Sequence, residues 1–319
     1  MSVNTPTQNM PARNTPTQGT PPRKVRRAPG RKRRNLVGYA FVAPLMLGIG
    51  VFHLYPMAVT TYSSFTDWDG FNSRHFVGFA NYSKLILHDT LFHTVVTNTL
   101  LFMLGAIPLT MILALCLATL VSPQRRIMTV FRLAFFVPYV ANVVAVSVVW
   151  FRLYSGQDGV FDTLLAHLGI DGPDWLVTSP WALIAVIFVS VWQGVGYPMI
   201  VLMAGIQAIP AELYEAASLD GASRARRFFS ITLPLLTPSL FFVSISQFVA
   251  SFQVFGIVYV MTKGGPGNDT NTYMLQLFNT SFADGELGYA SAMAWLLFLV
   301  IAALTVIQWR LQRRWVFYG

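Results

Sequence analysis

Six apolar stretches, at about 36–63, 94–121, 130–154, 181–205, 240–261 and 288–309, are each long enough to cross a lipid bilayer. A hydrocarbon core about 30 Å thick takes roughly 20 helical residues to span. Within lipid every backbone N–H and C=O must find a partner inside the segment or in a closed barrel. The alternating in-and-out pattern of a barrel strand is missing from all six stretches. The expected fold is therefore all-α, a polytopic membrane protein with six transmembrane helices. Composition agrees, with 54% hydrophobic and only 11% charged residues, where a soluble domain carries about 25% charged.

Charge placement sets the expected topology. An even number of spans puts both termini on one side, and the basic amino terminus makes that side cytoplasmic by the positive-inside rule. Nine of the 22 Lys and Arg precede residue 35. Arg125, Arg126 and Arg132, then Arg224, Arg226 and Arg227, then Arg310, Arg313 and Arg314 fall on the same side. Only Arg74, Lys84, Arg152 and Lys263 fall outside, together with ten of the thirteen acids. The net charge of +9 thus suits anionic lipid rather than nucleic acid. The tail contains Asn4-Thr5-Pro6-Thr7-Gln8 and the same five letters again from Asn14, a composition that cannot bury a core. The apolar run after it exceeds the 7–15 residues of a signal-peptide core, so it reads as a retained first span. The chain divides into a disordered basic cytoplasmic tail (1–34), a first span with its extracytoplasmic loop (35–93), a core domain (94–309) and a basic cytoplasmic end (310–319).

The longest cytoplasmic connection, about 207–238, reads as two short helices. Pro210 suits a first helical position, Glu212 complements the positive helix end, and Gly221 closes the element. Leu213, Ala216 and Ala217 share a face by their spacing, and the two alanines keep that face thin enough for close approach to another protein. Ser223 can cap a second helix running toward Ile231, with Pro234 and Pro238 turning the chain back into the bilayer. An ordinary amphipathic interfacial helix is the plainer alternative.

The order Glu215-Ala216-Ala217, three residues, Gly221, nine residues, Ile231, one residue, Leu233-Pro234 resembles the signature loop of binding-protein-dependent ABC importer permeases. The resemblance covers about 94–309 and includes an extra amino-terminal span, as in the sugar-importing branch. It implies the type I importer transmembrane fold, with the first short helix acting as a coupling helix seated in a cleft of a separate ATP-hydrolysing subunit. That role falls on Glu215, Ala216, Ala217 and Gly221, with Glu212 and Asp220 beside them. It also implies a related second permease, two ATPase subunits and an extracytoplasmic solute-binding protein as partners, and a bacterial inner-membrane location. The chain has no Gly-x4-Gly-Lys-Ser/Thr phosphate loop, so hydrolysis is expected elsewhere and no cofactor in this chain. Val258 to Pro266 and Gly288 to Met293 are similar to the carbohydrate branch. Gly264-Gly265-Pro266-Gly267 breaks the fifth span either as a plain exit turn or as a rim for a substrate-delivering protein.

Polar side chains within spans are candidate pathway residues, because without a partner they are unfavourable in lipid. Ser244, Gln247 and Ser251 lie on one face of the fifth span at i, i+3 and i+7. In the related maltose permease this face contacts sugar, which by resemblance places Gln247 and Ser251 at contacting positions, although Val254 stands where that protein has an amide. Asn142, Gln193 and Tyr197 are further candidates, with interhelical packing as the alternative role for each. Gly194, Gly196 and Pro198 read as a helix break or close packing, and Pro44, Pro56 and Pro108 as kinks. The five histidines lack metal-ligand spacing. Asp158 and Asp162 could share a helical turn, but as solvated residues rather than an acid–base pair. The single cysteine, Cys116, allows no intrachain disulfide. The substrate class expected is a mono- or oligosaccharide, with a phosphorylated polyol or another small solute as the alternative. An ion-coupled secondary transporter would show charged side chains mid-span, and none is present.

Overall fold

The computed structural model describes residues 31–72, 74–122, 126–155 and 159–315. The tail through residue 30, Arg125 and Asp158 lie outside the described residues. The described residues fall into two compact units, divided after Pro56. In the first, helix Arg31–Ile49 opens ahead of the expected residue 36, contains Pro44, and passes into a π-helical turn at Gly50–Leu54. Pro56 has no N–H to offer the preceding turn, and the widened turn just before it accommodates the missing bond.

Tyr39–Ser63, Thr90–Val121, Thr237–Met261 and Leu287–Gln312 each have the length and apolar character of a span. The other two stretches are bent pairs. Trp181–Gly194 and Gly196–Gln207 meet at 45°, at the glycines that marked a break or close packing. A Cβ added to Gly196 would overlap the carbonyl oxygen of Phe135, so this glycine is where the third and fourth stretches touch.

The third stretch departs from the continuous helix expected over 130–154. It is two helices, Ile127–Val140 and Val143–Leu153, at 99° to one another. Pro138 weakens the end of the first helix, and Asn142 adopts an extended backbone (φ −61°, ψ 124°). The Asn142 side chain then accepts the N–H groups of Val144 and Ala145, capping the second helix. The fifth span is also interrupted, its helices Thr237–Phe252 and Gly256–Met261 being separated by three residues that contiguous apolar letters did not betray.

Thr90–Val121 is the central helix, packed against the fourth and fifth stretches. Its buried residues Thr99, Phe102, Ala106, Thr110, Ala114 and Ala118 recur every three or four positions, which makes one continuous stripe. The stripe serves two separate apolar clusters. One gathers Phe102, Ile107, Val191, Phe252 and Val258 among others. The second gathers Ala114, Ala118, Val195, Met199, Leu236 and Val243.

The loops sort to two ends. At one, Gly288 N–H donates to the Trp68 carbonyl at 2.8 Å, the Tyr289 hydroxyl donates to Asp89 at 2.6 Å, and Lys84 pairs with Glu286 at 3.4 Å. At the other, the Arg132 guanidinium donates to the Val121 carbonyl at 3.0 and 2.7 Å, a cation closing a helix C-terminus. Gln207 donates to Ser122 beside it, at 3.2 Å.

Candidate functional site

The two apolar clusters part at one depth, and a cavity of about 230 Å³ lies there. Thr110 faces it from the second span, Ser190 and Gln193 from the fourth, and Gln247 and Ser251 from the fifth. Phe102 and Tyr139 add aromatic wall. Among the described residues no charged side chain lines it. Gln193 is 8% exposed and Ser251 6% exposed. The Gln193 side-chain amide donates to the Ala141 carbonyl at 3.4 Å, reaching the break in the third stretch. The Ser190 hydroxyl is taken up by its own helix, donating to Val186 at 2.8 Å. A ring of amide and hydroxyl groups with an aromatic side can hydrogen-bond a neutral polyhydroxylated solute while leaving the apolar clusters above and below dry.

The candidates divide. Gln193, Gln247 and Ser251 line this cavity. Ser244 does not, since it lies in a separate groove with Met111, Leu240 and Leu311, where its hydroxyl donates to Phe241 at 2.9 Å. Asn142 is exposed and spends its side chain on the helix cap. Tyr197 stands one layer back, its ring stacked on that of Tyr139 at 5.5 Å and 18°. Thr110, Ser190 and Tyr139 went unnoticed. Ser190 stands three residues before Gln193, a spacing that could have disclosed it.

The break in the fifth span is held from outside the membrane stretch. Thr272 Oγ1 donates to the carbonyl of Val254, a cavity-lining residue, at 3.1 Å. The next residue is anchored as well, Tyr273 N–H donating to Thr99 at 2.9 Å and its hydroxyl to the Met293 carbonyl at 2.8 Å. Asn98 donates to the carbonyls of Asn268 and Asn271, at 2.6 and 3.3 Å. The loop carrying Gly264 and Gly267, both at positive φ, is thus tied to the second span.

The first short helix of the long connection is Ala211–Leu219, with Pro210 in the capping position rather than inside it. It ends as a Schellman motif. Gly221 sits at φ 74°, its N–H donating to Ser218 at 3.1 Å while Ala222 N–H donates to Ala217 at 2.9 Å. Ser223 caps the following helix, Arg224–Arg227, by accepting the N–H of Arg226. The Tyr214 hydroxyl lies 2.9 Å from that of Thr232, which ties the helix to the base of the fifth span. No residue of Ala211–Leu219 is buried. Leu219 is 90% exposed, so an apolar side chain stands in solvent beside Glu215 and Ala216.

An all-helical membrane subunit with an uncharged cavity at mid-bundle and a protruding, unburied helix between its fourth and fifth stretches is the class that fold and site define. The chain belongs to the family described as binding-protein-dependent transport system inner membrane component, whose model matches residues 106–317. It is 35% identical over 291 residues to the probable ABC transporter permease YesP of Bacillus subtilis, covering 90% of this chain and 94% of that one. It is 34% identical over 279 residues to MsmF, the multiple sugar-binding transport system permease of Streptococcus mutans, covering 87% and 95%. The fold is that of a chain in a bacterial ABC transporter involved in import of the acidic polysaccharide alginate, with a TM-score of 0.77 at 21% identity over 88% of this chain and 96% of that one. The chain is a membrane permease subunit of an ABC importer and not its catalytic subunit.

Proposed function

We propose that this chain forms half of the translocation pathway for a neutral mono- or oligosaccharide, in an importer driven by a separate ATPase. The carrying observation is the uncharged cavity, where Gln193, Gln247, Ser251 and Thr110 meet an aromatic wall between two dry clusters. A phosphorylated polyol is the alternative cargo, and a buried Arg or Lys would be its natural partner. The sugar reading is supported by a relative whose name specifies multiple sugar-binding transport.

In this reading Ala211–Leu219 is the coupling helix, with Glu212, Glu215, Ala216, Ala217, Asp220 and Gly221 as its docking surface, and both termini are cytoplasmic. The partners are a related second permease, two ATPase subunits and an extracytoplasmic solute-binding protein. Closure of the ATPase pair on nucleotide would carry the seated helix as a rigid body, and the attached spans would tilt between inward-open and outward-open states.

The test is uptake by the complete complex in proteoliposomes, offered neutral sugars and glycerol phosphate side by side. Sugar uptake that falls with Gln247→Ala, together with disulfide crosslinking of Leu219→Cys to the ATPase, is expected. Preferential uptake of the phosphate ester would overturn the cargo, and an uncrosslinked Leu219→Cys would overturn the docking surface.

A further inference from the structure

The cleft between the proposed coupling helix and the segment that follows it shares Ala217 and Asp220 with the proposed docking surface and adds two guanidinium groups that the coupling assignment does not use. It encloses about 240 Å³ and is lined by Ala217, Asp220, Ala222, Arg226, Arg227, Ser230 and Ile231. The ion pairs among the described residues are His75 with Asp67 and Lys84 with Glu286, so neither guanidinium is neutralised there, although Asp220 shares the cleft. Immediately beyond, Phe228 and Phe229 stack edge to face at 5.1 Å. Phe229 is 65% exposed. Four residues beyond Phe229, Leu233 and Pro234 lead the chain into the fifth span.

We infer that this cleft binds the phosphodiester of an anionic phospholipid, with Arg226 and Arg227 as the anion ligands, Ser230 as a hydroxyl donor and Phe229 set against the acyl region. Two arginines and one carboxylate leave a single net positive charge. That balance matches the single negative charge of a lipid phosphodiester better than the dianion of free phosphate, which Asp220 would repel. Arginine suits the role because its planar fork donates two parallel hydrogen bonds to phosphate oxygens. An exposed aromatic beside basic residues where a helix enters the bilayer is the side-chain pairing that interfacial segments use. A headgroup held here would brace the coupling helix against the base of the fifth span, alongside the Tyr214–Thr232 contact.

Hydrogen exchange across 211–232 tests this on the full chain in nanodiscs. Bilayers of phosphatidylcholine alone, phosphatidylcholine with phosphatidylglycerol, and phosphatidylcholine with inorganic phosphate in the buffer are compared. Phosphatidylglycerol should slow exchange in this segment and free phosphate should not. Arg226→Gln and Arg227→Gln should each weaken apparent lipid affinity about fivefold. Arg224→Gln removes the same charge one turn away from the cleft lining and should leave it unchanged. Equal loss in all three variants would reduce the effect to diffuse surface attraction and overturn the site. Protection by free phosphate would overturn the lipid source, and no protection in any bilayer would overturn the inference outright. None of these readings depends on which cargo is transported.

Discussion

Gln193 of the fourth stretch and Ala141 of the third are joined by a hydrogen bond, side-chain amide to carbonyl at 3.4 Å, at the point where the third stretch turns through 99°. The same glutamine lines the mid-bundle cavity. One residue therefore touches both the cavity and the break. Replacing it with leucine keeps the volume and removes both interactions. Gln193→Leu should insert and fold, since an interhelical bond in membranes contributes about 1 kcal/mol or less. Uptake by the reconstituted complex should fall about fivefold or more, and uptake at the wild-type rate would exclude Gln193 from the pathway.

Two glycines two residues apart give opposite forecasts. A methyl group on Gly196 would meet the Phe135 backbone, which cannot move aside as a flexible side chain can, whereas one on Gly194 meets open space. Gly196→Ala should lower thermal stability in detergent by about 1–3 kcal/mol. Gly194→Ala should leave it within about 0.5 kcal/mol or raise it slightly, because alanine favours helix.

At Gly221 the difficulty is backbone conformation rather than space. Its φ of 74° is left-handed, and an added Cβ touches nothing. Gly221→Ala should destabilise the Schellman turn by about 1–2 kcal/mol, with Gly221→Asn milder because asparagine tolerates that region. Nucleotide hydrolysis by the assembled complex should become less dependent on substrate, in the order alanine worse than asparagine.

Asn98→Leu should free the loop around 264–272. The substitution strands the carbonyl of Asn271, which Asn98 now satisfies, while the Asn268 carbonyl keeps the Asn271 N–H as a donor. Leaving buried acceptors unpaired costs about 1–3 kcal/mol. Limited proteolysis within this loop should accelerate, and unchanged cleavage would show that Thr272 and Tyr273 hold it alone.

On the extracytoplasmic side as proposed, the Asp67 carboxyl is held below its ordinary range, first by the His75 backbone N–H and then by the His75 ring. A lowered folded value means that the contribution is present above the unfolded pKa of about 3.9 and is lost as pH falls through the folded value. The protection factor of the His75 amide, its exchange rate relative to the intrinsic rate at each pH, should therefore hold at neutral pH and fall only in acid below that range. A protection factor that already falls between about pH 6 and 7 would rule out the Asp67 carboxylate as the group holding this amide.

Much of this molecule was readable as letters. Six apolar stretches of sufficient length dictated helices, because lipid offers the backbone no other partner. The Gly221 stop and the Ser223 cap were legible because each is a local event, settled by φ preference or by one side chain reaching its own backbone. The 99° turn at Asn142 was half visible. Pro138 was not among the prolines read as kinks, and an asparagine in an apolar run reads equally as a pathway residue and as a cap, so only the backbone direction after Ala141 separates the two.

The cavity was not legible in full. Ser244, Gln247 and Ser251 do share a face, as their spacing requires, yet periodicity reports angle around a helix and says nothing of depth across a bilayer. Ser244 stands about 4.5 Å further along the axis than Gln247, which is enough to place it in a different groove. Thr110, Ser190 and Tyr139 come to the site from other helices, and no spacing within one segment can encode a meeting between segments. Sequence alone thus determined what must be helical, where the caps around Gly221 and Ser223 fall, and which element protrudes. The depth at which two apolar clusters part, and so which polar groups converge, was decided only by how the helices pack.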